Sequence, residues 1–392
     1  MIVDGDIFHP SYSRGDSKKM RKHTFFSHRD IILHQEKYKY GSCPQFEIFR
    51  YGDLVSDITF VIDLLDAEDL VDDVELALIK SIELTCGSSK VDKITNDNLY
   101  QYHHFNRKIA KRDGNKFIIT IPFFMNRIKG NFGHYFPLIS CQYHYTGVQL
   151  EFESLQNLTK HQKQVSKNKE FNVCVFAKFI YLNNIERKRF AQVNHEYLMT
   201  QNYNNNVFEK EICNKYHDDL KKLNKLCSEF SLEIIEKIGK YITGNEVTLN
   251  KDNISTIMKI NVALHFKHPI KSINIAIRSP SSDVYFNYKQ IINRIELNFD
   301  GHKYVDEKGL YLSTLAQNRH NSKNNNIYSI LFSNNPHIFQ PSGCFNLSRI
   351  DKQNLFIEID TKELNKGSIL IVTSENYNVL YVESGMAGLR YN

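Results

Sequence analysis

The chain has 392 residues, of which 41% are hydrophobic and 12% aromatic, with no Trp. This length exceeds the need of one ordinary sandwich domain and predicts two domains of about 200 residues each. The formal net charge of +6 is too thinly spread for a dedicated nucleic-acid binder, so we expect no sequence-specific nucleic-acid partner. No apolar run approaches the roughly 20 residues that a membrane-spanning helix needs, so we expect a protein that is soluble when made.

The cysteines are scattered along the chain and odd in number. No Cys-x-x-Cys pair occurs, and such a set indicates neither a disulfide framework nor a zinc site. We therefore expect reduced thiols in a cytosolic compartment. The positions are Cys43, Cys86, Cys141, Cys174, Cys213, Cys227 and Cys344.

Residues 1–23 are polar and end in the basic run Lys18–His23. This composition predicts a flexible basic arm, because it offers little apolar surface for a core. A second interpretation is an arm that becomes ordered on assembly. It would then contact neighbouring subunits of an assembly.

The pattern predicts strands from Thr24 onward. Apolar residues alternate with more polar ones across residues 148–152 and again across residues 171–179. A period of two places one set of side chains on the inner face of a sheet and the other set on its outer face. These segments therefore predict strands of a sandwich.

Other segments of the first half depart from simple alternation. Val74–Leu84 begins with helical spacing and ends as a strand, whereas Glu186–Gln192 is predicted to be a polar helical turn. Lys116–Ile121 is more continuously apolar, which predicts a strand deep inside a sandwich. Pro122 would end that strand.

Residues 202–255 change to a period of three and four. Such a stripe predicts an amphipathic helix, with Gly244 as a plausible end. We interpret the segment as a helical insertion or linker that packs on the domains or on a partner subunit. A helix lying on a membrane fits less well, because its polar face mixes acids with bases. The apolar positions are Leu220, Leu223, Leu226, Phe230, Ile234, Ile235, Ile238 and Ile242.

Strands return after Ile257, and the second half repeats features of the first. Ile82–Leu84 before a glycine corresponds to Ile295–Leu297 before another glycine, and the apolar run 116–121 corresponds to 327–332. This order of patterns predicts two similar sandwiches of short strands. A jelly roll is such a unit, with eight strands in two packed sheets.

Three blocks close the chain: Pro341–Asp351, Asn376–Leu380 and Gly385–Tyr391. In residue type and order they resemble the major capsid proteins of nucleocytoplasmic large DNA viruses, and the resemblance runs from about Thr24 to Asn392. Further segments that carry it are Thr24–Phe26, Arg50–Leu54, Ala77–Leu84, Pro137–His144, Tyr181–Ala191, His268–Lys271 and Ile327–Phe332.

The resemblance implies an all-β double jelly roll, with two consecutive eight-stranded sandwiches, short helices in loops and one inserted amphipathic helix. The expected organisation is an arm at 1–23, a first jelly roll at 24–201, a helical insertion at 202–255 and a second jelly roll at 256–392. We expect Gly385 and Gly388 to lie where backbone passes close to other backbone.

The implied function is that of a structural capsid protein of the virion, assembled in the host cytoplasm. It would form homotrimers, and these would act as pseudo-hexagonal capsomers of an icosahedral shell. The implied partners are further copies of the chain, neighbouring capsomers and minor capsid proteins. The arm at 1–23 would contact the particle interior or an inner membrane. One alternative is an assembly scaffold or a minor capsid paralogue of the same fold. A second alternative is a carbohydrate-binding jelly roll, which would have an aromatic-lined groove with converging carboxylates.

The sequence contains no motif that indicates a catalytic, cofactor-binding or metal-binding site. A cupin-type metal site needs two His residues two positions apart, and none of the sixteen His has that spacing. His103 and His104 are adjacent and would point to opposite faces of a strand, whereas His265 and His268 flank a predicted strand end. Phosphate-loop and nucleophile-elbow patterns are absent. We therefore predict no enzyme and no catalytic, cofactor-binding or metal-binding residues.

Overall fold

The computed structural model contains two units, each built as a β-sandwich. The first unit comprises Met1–Asn202, His337–Gln340 and Tyr377–Asn392, and the second comprises Tyr203–Pro336 and Pro341–Asn376. The structure describes residues 27–65, 69–105, 108–127, 134–160, 169–204, 248–250, 253–320, 326–338, 340–360, 364–365 and 367–391. The predicted arm at 1–23, the segment Thr24–Phe26 and the helical stripe at 220–242 lie outside these residues.

The first unit contains a five-stranded and a four-stranded antiparallel sheet. The strand orders are β1-β9-β3-β7-β6 and β2-β8-β4-β5. The strands are β1 (Ser27–Lys39), β2 (Gln45–Glu47), β3 (Leu54–Leu64), β4 (Ile79–Cys86), β5 (Ser89–Thr95), β6 (Ala110–Asp113), β7 (Lys116–Thr120), β8 (Thr146–Phe152) and β9 (Glu170–Tyr181). A further strand, β10 (His195–Asn204), lies outside these two sheets. The helices are α1 (Val74–Ala77), α2 (Asn96–His104), α3 (Leu155–Leu158) and α4 (Asn184–Gln192), with a 3₁₀ turn at Leu138–Ser140.

The two sheets of the first unit pack face to face through aromatic side chains. The rings of Phe152 on β8 and Phe171 on β9 meet edge to face at 5.0 Å, and Phe46 on β2 meets Phe60 on β3 at 6.3 Å. Strands β3 and β9 bury alternate residues, as the period of two predicts. The helix-then-strand prediction for Val74–Leu84 agrees with α1 and β4.

The expectation for Lys116–Ile121 is wrong in one respect. Strand β7 alternates rather than lying deep in the core, because Phe117 and Ile119 are buried whereas Ile118 is 47% exposed. The strand lies between β3 and the four-residue β6, close to the sheet edge. Apolar residues at a sheet edge can face outward, and composition alone does not separate them from core residues.

The second unit contains its own sandwich. One sheet has the order β11-β12-β19-β15-β16; in the other, β13 pairs with β14, β17, β18 and β20. The strands are β11 (Thr248–Asn250), β12 (Asn253–Leu264), β13 (Pro269–Arg278), β14 (Tyr288–Lys289), β15 (Ile292–Phe299), β16 (His302–Lys308), β17 (Tyr328–Leu331), β18 (Phe345–Asn346), β19 (Gln353–Asp360) and β20 (Ile369–Glu383). Helix α5 (Gly309–His320) connects β16 to β17, and a 3₁₀ turn spans Leu347–Arg349.

One hydrophobic cluster joins the two sheets of the second unit. It includes Val262 from β12 and Leu355 from β19 on one side, and Ile273, Ile275 and Val372 from β13 and β20 on the other. All five are nearly inaccessible to solvent. Their burial provides the main driving force for packing one sheet on the other.

The internal correspondence in the sequence reappears as strand order. In the first unit β4 lies between β5 and β8, and in the second β15 lies between β16 and β19. Likewise β3 pairs with β9 and β7, as β13 pairs with β20 and β17. The segments Ile82–Leu84 and Ile295–Leu297 therefore occupy equivalent strands, as do 116–121 and 327–332.

The end of the chain divides differently from the predicted 256–392 domain. Strand β20 pairs with β13 through Ile369–Asn376, and then with β21 (Met386–Leu389) through Leu380–Glu383. The part from Tyr377 onward belongs to the first unit. A 15-residue strand is long enough to contribute its two halves to different units.

Candidate assembly surface

The Pro341–Asp351 block is a hydrogen-bonded turn that joins two loops of the second unit. The Asn346 Oδ1 accepts from the Ser348 N–H at 3.0 Å, and the Ser348 Oγ accepts from the His268 N–H at 3.1 Å. The Leu347 N–H donates back to the His268 carbonyl at 3.2 Å. The His268–Lys271 segment and the terminal block, which are distant in sequence, therefore meet at β13.

At Gly343 in this block there is no room for a side chain. Its φ is +137°, and a Cβ added there would lie 2.6 Å from the Phe332 carbonyl oxygen. That contact would be with backbone, which cannot rotate away. The glycine therefore allows the Ser342 side chain and carbonyl to hold Asn334 and Asn335.

Lys271 is a buried cation held by a carbonyl and a carboxylate. Its Nζ donates to the Pro336 carbonyl at 2.8 Å and to Glu375 Oε2 at 3.2 Å. A buried ammonium needs such compensation, because its desolvation cost is large. This arrangement ties β13 to β20 and to the loop before the terminal block.

Asp53 performs a similar role in the first unit. Its Oδ2 accepts from the Leu182 N–H at 2.7 Å, and its Oδ1 lies 3.0 Å from Arg187 Nε. The Arg50–Leu54 segment thus contacts the Tyr181–Ala191 segment. The predicted helical turn is α4, where Asn183 Oδ1 accepts from the Glu186 N–H at the helix start.

The Gly385–Tyr391 block forms the outer strand of a hairpin in the first unit. The Tyr143 N–H donates to the Gly385 carbonyl at 2.9 Å, and the Ala387 N–H donates to His144 Nδ1 at 3.2 Å. Arg390 also forms an ion pair with Glu196 at 2.7 Å. The terminal block therefore closes the first unit, although we expected it to close the second.

The backbone at Gly385 and Gly388 does pass close to other backbone, as expected: the Gly385 carbonyl accepts from the Tyr143 N–H, and Gly388 pairs with Tyr381 in the β20–β21 ladder. The space for a side chain at both positions is taken by neighbouring side chains. A Cβ added at Gly385 would lie 2.6 Å from the Tyr143 ring, and one at Gly388 would lie 3.1 Å from the Tyr381 hydroxyl. Both neighbours are side chains. Gly385 is further constrained by a φ of +79°, which disfavours any L side chain.

Five large apolar side chains lie exposed around this hairpin, and we call them the tyrosine patch. Phe49 and Tyr51 have ring centroids 5.9 Å apart, and Arg50 between them donates to the Gln142 carbonyl at 2.6 Å. The exposed fractions range from 47% to 77%. Sequence reasoning missed these positions, because exposed aromatics are not distinguished from core aromatics by type. The patch consists of Phe49, Tyr51, Tyr143, Tyr145 and Met386.

Strand β1 is a long sheet edge. Within the described part of the chain it pairs with β9 alone, over 13 residues, and most of its side chains are exposed. Strands average five to six residues, so this edge is unusually long. Unpaired edges of this kind are templates for pairing with another chain.

The described residues contain no group of three or more His, Cys, Asp and Glu side chains placed to hold a metal ion. His103 and His104 lie at the end of helix α2 rather than on a strand, which corrects the strand-based argument about their directions. Burial lowers the pKa of His104 to about 4, so it is neutral at physiological pH. His265 and His268 lie in the connection between β12 and β13.

Across the described residues, no helix is both long and apolar enough to cross a membrane.

Comparison with known proteins identifies the family. The family model described as "Major capsid protein N-terminus" matches residues 17–183, and the one described as "Large eukaryotic DNA virus major capsid protein" matches residues 186–388. The major capsid protein of Pyramimonas orientalis virus is 25% identical, over 95% of this chain and 92% of that protein. The major capsid protein of Paramecium bursaria Chlorella virus 1 is 23% identical, over 90% of this chain and 88% of that protein.

The fold agrees with this assignment. The PBCV-1 virus capsid structure superposes with a TM-score of 0.72 at 20% identity, covering 95% of this chain and 98% of that chain. The Faustovirus major capsid protein superposes with a TM-score of 0.55 at 9% identity, covering 92% and 90%. The two sandwiches are therefore a double jelly roll, as the resemblance implied. The chain belongs to the family of major capsid proteins of large eukaryotic DNA viruses, whose members are structural proteins and not enzymes.

Proposed function

We propose that the chain self-assembles as a homotrimer and that these trimers are the capsomers of an icosahedral shell. The observation that carries the proposal is the repeated strand order of the two units. Three chains with two similar sandwiches each place six similar blocks around a threefold axis. Such a particle has a nearly hexagonal outline and tiles a flat facet, although its true symmetry is threefold.

The edge strand β1 supports self-association. A 13-residue edge with Ile32 half exposed is costly to leave open, because it invites uncontrolled pairing. Charges at Arg29, Asp30 and Glu36 reduce that hazard in the free chain. Coverage by another copy of the chain would remove it in the assembled particle.

The tyrosine patch supports an interface between copies in the same way. Aromatic and Met side chains are enriched in the centres of protein interfaces, where they bury large areas at low entropic cost. In a protein whose family builds shells, the partner present at the highest local concentration is another copy of the same chain. We therefore assign the patch to a contact between copies.

Light scattering and negative-stain electron microscopy of the purified full chain test the trimer. The expected result is a stable particle of three times the 45.9 kDa chain mass with a pseudo-hexagonal outline. A monodisperse monomer at micromolar concentration would contradict the proposal.

The patch is tested by Tyr145→Asp, with Ile118→Asp as the matched control. Tyr145 is in the patch and Ile118 is an exposed apolar residue on β7 outside it. We expect the first variant to weaken association at least about tenfold and the second to leave it unchanged. Equal behaviour of the two variants would remove the patch from the interface.

The remaining partners follow from the shell function. We propose that neighbouring capsomers and minor capsid proteins contact the trimer, and that the arm at 1–23 contacts the particle interior or an inner membrane. Localisation within purified mature particles separates a shell protein from an assembly scaffold. A scaffold would be present in immature particles and absent from mature ones.

A further inference from the structure

Helix α5 of the second unit has an exposed side made of Leu310, Tyr311 and Thr314, which we call the α5 stripe. Leu310 is 68% exposed and Tyr311 54% exposed, and Thr314 lies exposed one turn further along the helix. The other side of the helix is buried and includes Leu312 and Ala316. The stripe carries no charge, so a partner could cover it without stripping water from a charged group.

The equivalent helix of the first unit has no exposed side. Helices α2 and α5 follow the equivalent hairpins β4–β5 and β15–β16, and they lead to the equivalent strands β7 and β17. In α2, six of the nine residues are buried and none is exposed. One position in the fold therefore carries a covered helix in the first unit and a partly open helix in the second.

Contacts within the first unit cover α2. The Tyr102 hydroxyl donates to Asn202 Oδ1 at 2.8 Å. At the end of the helix, the ring of Phe105 lies 6.4 Å from the ring of His337. Residues His337–Gln340 follow β17 in the chain but belong to the first unit. The connection that follows β17 therefore contributes to the cover of α2.

We propose that the α5 stripe docks on the first unit of a second copy of the chain, at residues 134–145 in the connection that follows β7. Because β7 and β17 are equivalent strands, this connection is the counterpart of the one that covers α2. In a ring of six similar blocks, the block after each second unit is the first unit of the next copy, so that copy supplies the equivalent contact. The inference rests on the homotrimer proposed above.

The chemistry of the two surfaces matches. Residues 134–145 contain no Asp, Glu, Lys or Arg, in a chain of which 24% is charged. Their exposed side chains are Gln142, Tyr143 and Tyr145, and both tyrosines belong to the tyrosine patch. Tyrosine rings bury large apolar areas, whereas their hydroxyl groups can remain hydrogen-bonded at the rim of an interface. Two uncharged surfaces of this kind can meet without leaving a charge unpaired.

Photo-crosslinking of the assembled full-length protein tests the contact. The photoreactive amino acid p-benzoylphenylalanine replaces Tyr311, and the irradiated protein is separated on a denaturing gel. The band with twice the chain mass contains links between copies and is digested with trypsin. We expect the α5 peptide, residues 309–319, to be joined to the peptide of residues 130–160. The same probe in place of Ile185, which is 81% exposed on α4, should give no link to residues 130–160.

Two variants test the energetic contribution. Leu310→Asp should weaken trimer association at least about tenfold. An aspartate in the first turn of a helix is favourable, so this variant should still fold. Ile185→Asp is the matched control and should leave association unchanged. Trimers in which the probe at position 311 links to another part of the chain, or equal association of the two variants, would overturn the docking site and leave the trimer standing. A monomeric protein would overturn both.

Discussion

The hairpins β4–β5 and β15–β16 occupy equivalent positions in the two sandwiches, and each carries a glutamate held by lysines. Glu83 lies 2.6 Å from Lys93 and 3.0 Å from Lys90. Glu296 lies 3.4 Å from Lys259 and 3.7 Å from Lys303. In both cases burial raises the pKa of the carboxyl, but hydrogen bonds and positive charges outweigh it, so the pKa falls below its usual range.

The helical connections that follow these hairpins differ. At the start of α2, Asn98 Oδ1 accepts from the Thr95 N–H at 3.2 Å, which satisfies a free helical donor. At the start of α5, Gly309 instead packs so tightly on β15 that an added Cβ would overlap the Ile292 carbonyl oxygen. The helix that follows the hairpin is thus stabilised by side-chain capping in the first sandwich and by close backbone packing in the second.

The two units also differ in their buried ion pairs. Arg127 and Asp92 in the first unit are 2.7 Å apart, with side chains 2% and 0% exposed. Arg127 also donates to the Pro122 and Thr200 carbonyls. In the second unit Lys271 is equally buried, but its partner Glu375 is 15% exposed. The comparison predicts that the first unit depends more strongly on its pair.

Removal of that pair gives the largest expected effect. Arg127→Met would remove the ion-pair partner of the buried Asp92 carboxylate and leave it the hydrogen bond from the Phe124 N–H, and we expect a loss of about 3–5 kcal/mol in unfolding free energy. Lys271→Met should cost less, because water reaches Glu375. Urea unfolding, with hydrogen exchange to localise the loss to β5 or β20, measures both. A greater loss for Lys271→Met would reverse the comparison.

The close packing at α5 gives the next effect. Gly309→Ala should lower the unfolding free energy of the second unit by about 3 kcal/mol, because the new methyl group must displace the β15 backbone. The matched control is Gly301→Ala, where no atom lies within 4 Å and only the φ of +85° opposes the change. We expect about 1 kcal/mol there. Similar losses of hydrogen-exchange protection in the two variants would show that the backbone around Gly309 can shift at little cost in free energy.

Acid should destabilise the first unit before the second. Burial lowers the pKa of His134 to about 2, well below its ordinary value of 6.5. Its contribution to stability is therefore complete above pH 6.5 and is lost as the pH falls, because only the unfolded chain takes up the proton. Between pH 7 and pH 5 this group should cost about 2 kcal/mol. His134→Gln should flatten that dependence in hydrogen exchange of the strands around it; an unchanged slope would assign the acid sensitivity to other groups.

The equivalent glutamates give the smallest effect. We expect Glu83→Gln and Glu296→Gln each to lower the urea midpoint by less than about 0.3 M, because the lysine partners are largely exposed. Similar shifts would extend the equivalence of the hairpins from topology to energetics. A clear loss at only one of the two positions would show that the charge pattern is not shared.

Several strands were predictable from residue order. The period of two in residues 148–152 and 171–179 identified β8 and β9, and Val74–Leu84 was correctly divided between helix and strand. The repeated patterns around Ile82–Leu84 and Ile295–Leu297 predicted equivalent strands, because alternation reports directly which face a side chain occupies. The exposed Ile118 was not predictable from its type, since its exposure depends on whether another part of the chain covers that face of the sheet.

The sequence blocks near the C-terminus likewise indicated the protein family, but they did not indicate which unit each block joins. Residue types in Pro341–Asp351 and Gly385–Tyr391 were sufficient to indicate a capsid protein, because a long motif can be recognised from the order of its residues alone, without its tertiary contacts. That the first block binds His268 while the second closes the other unit was decided only by tertiary structure. The grouping of the tyrosine patch was decided there too. Each of these sets is brought together by loops and strand pairing between distant segments, and sequence periodicity reports only on neighbours within one strand or helix.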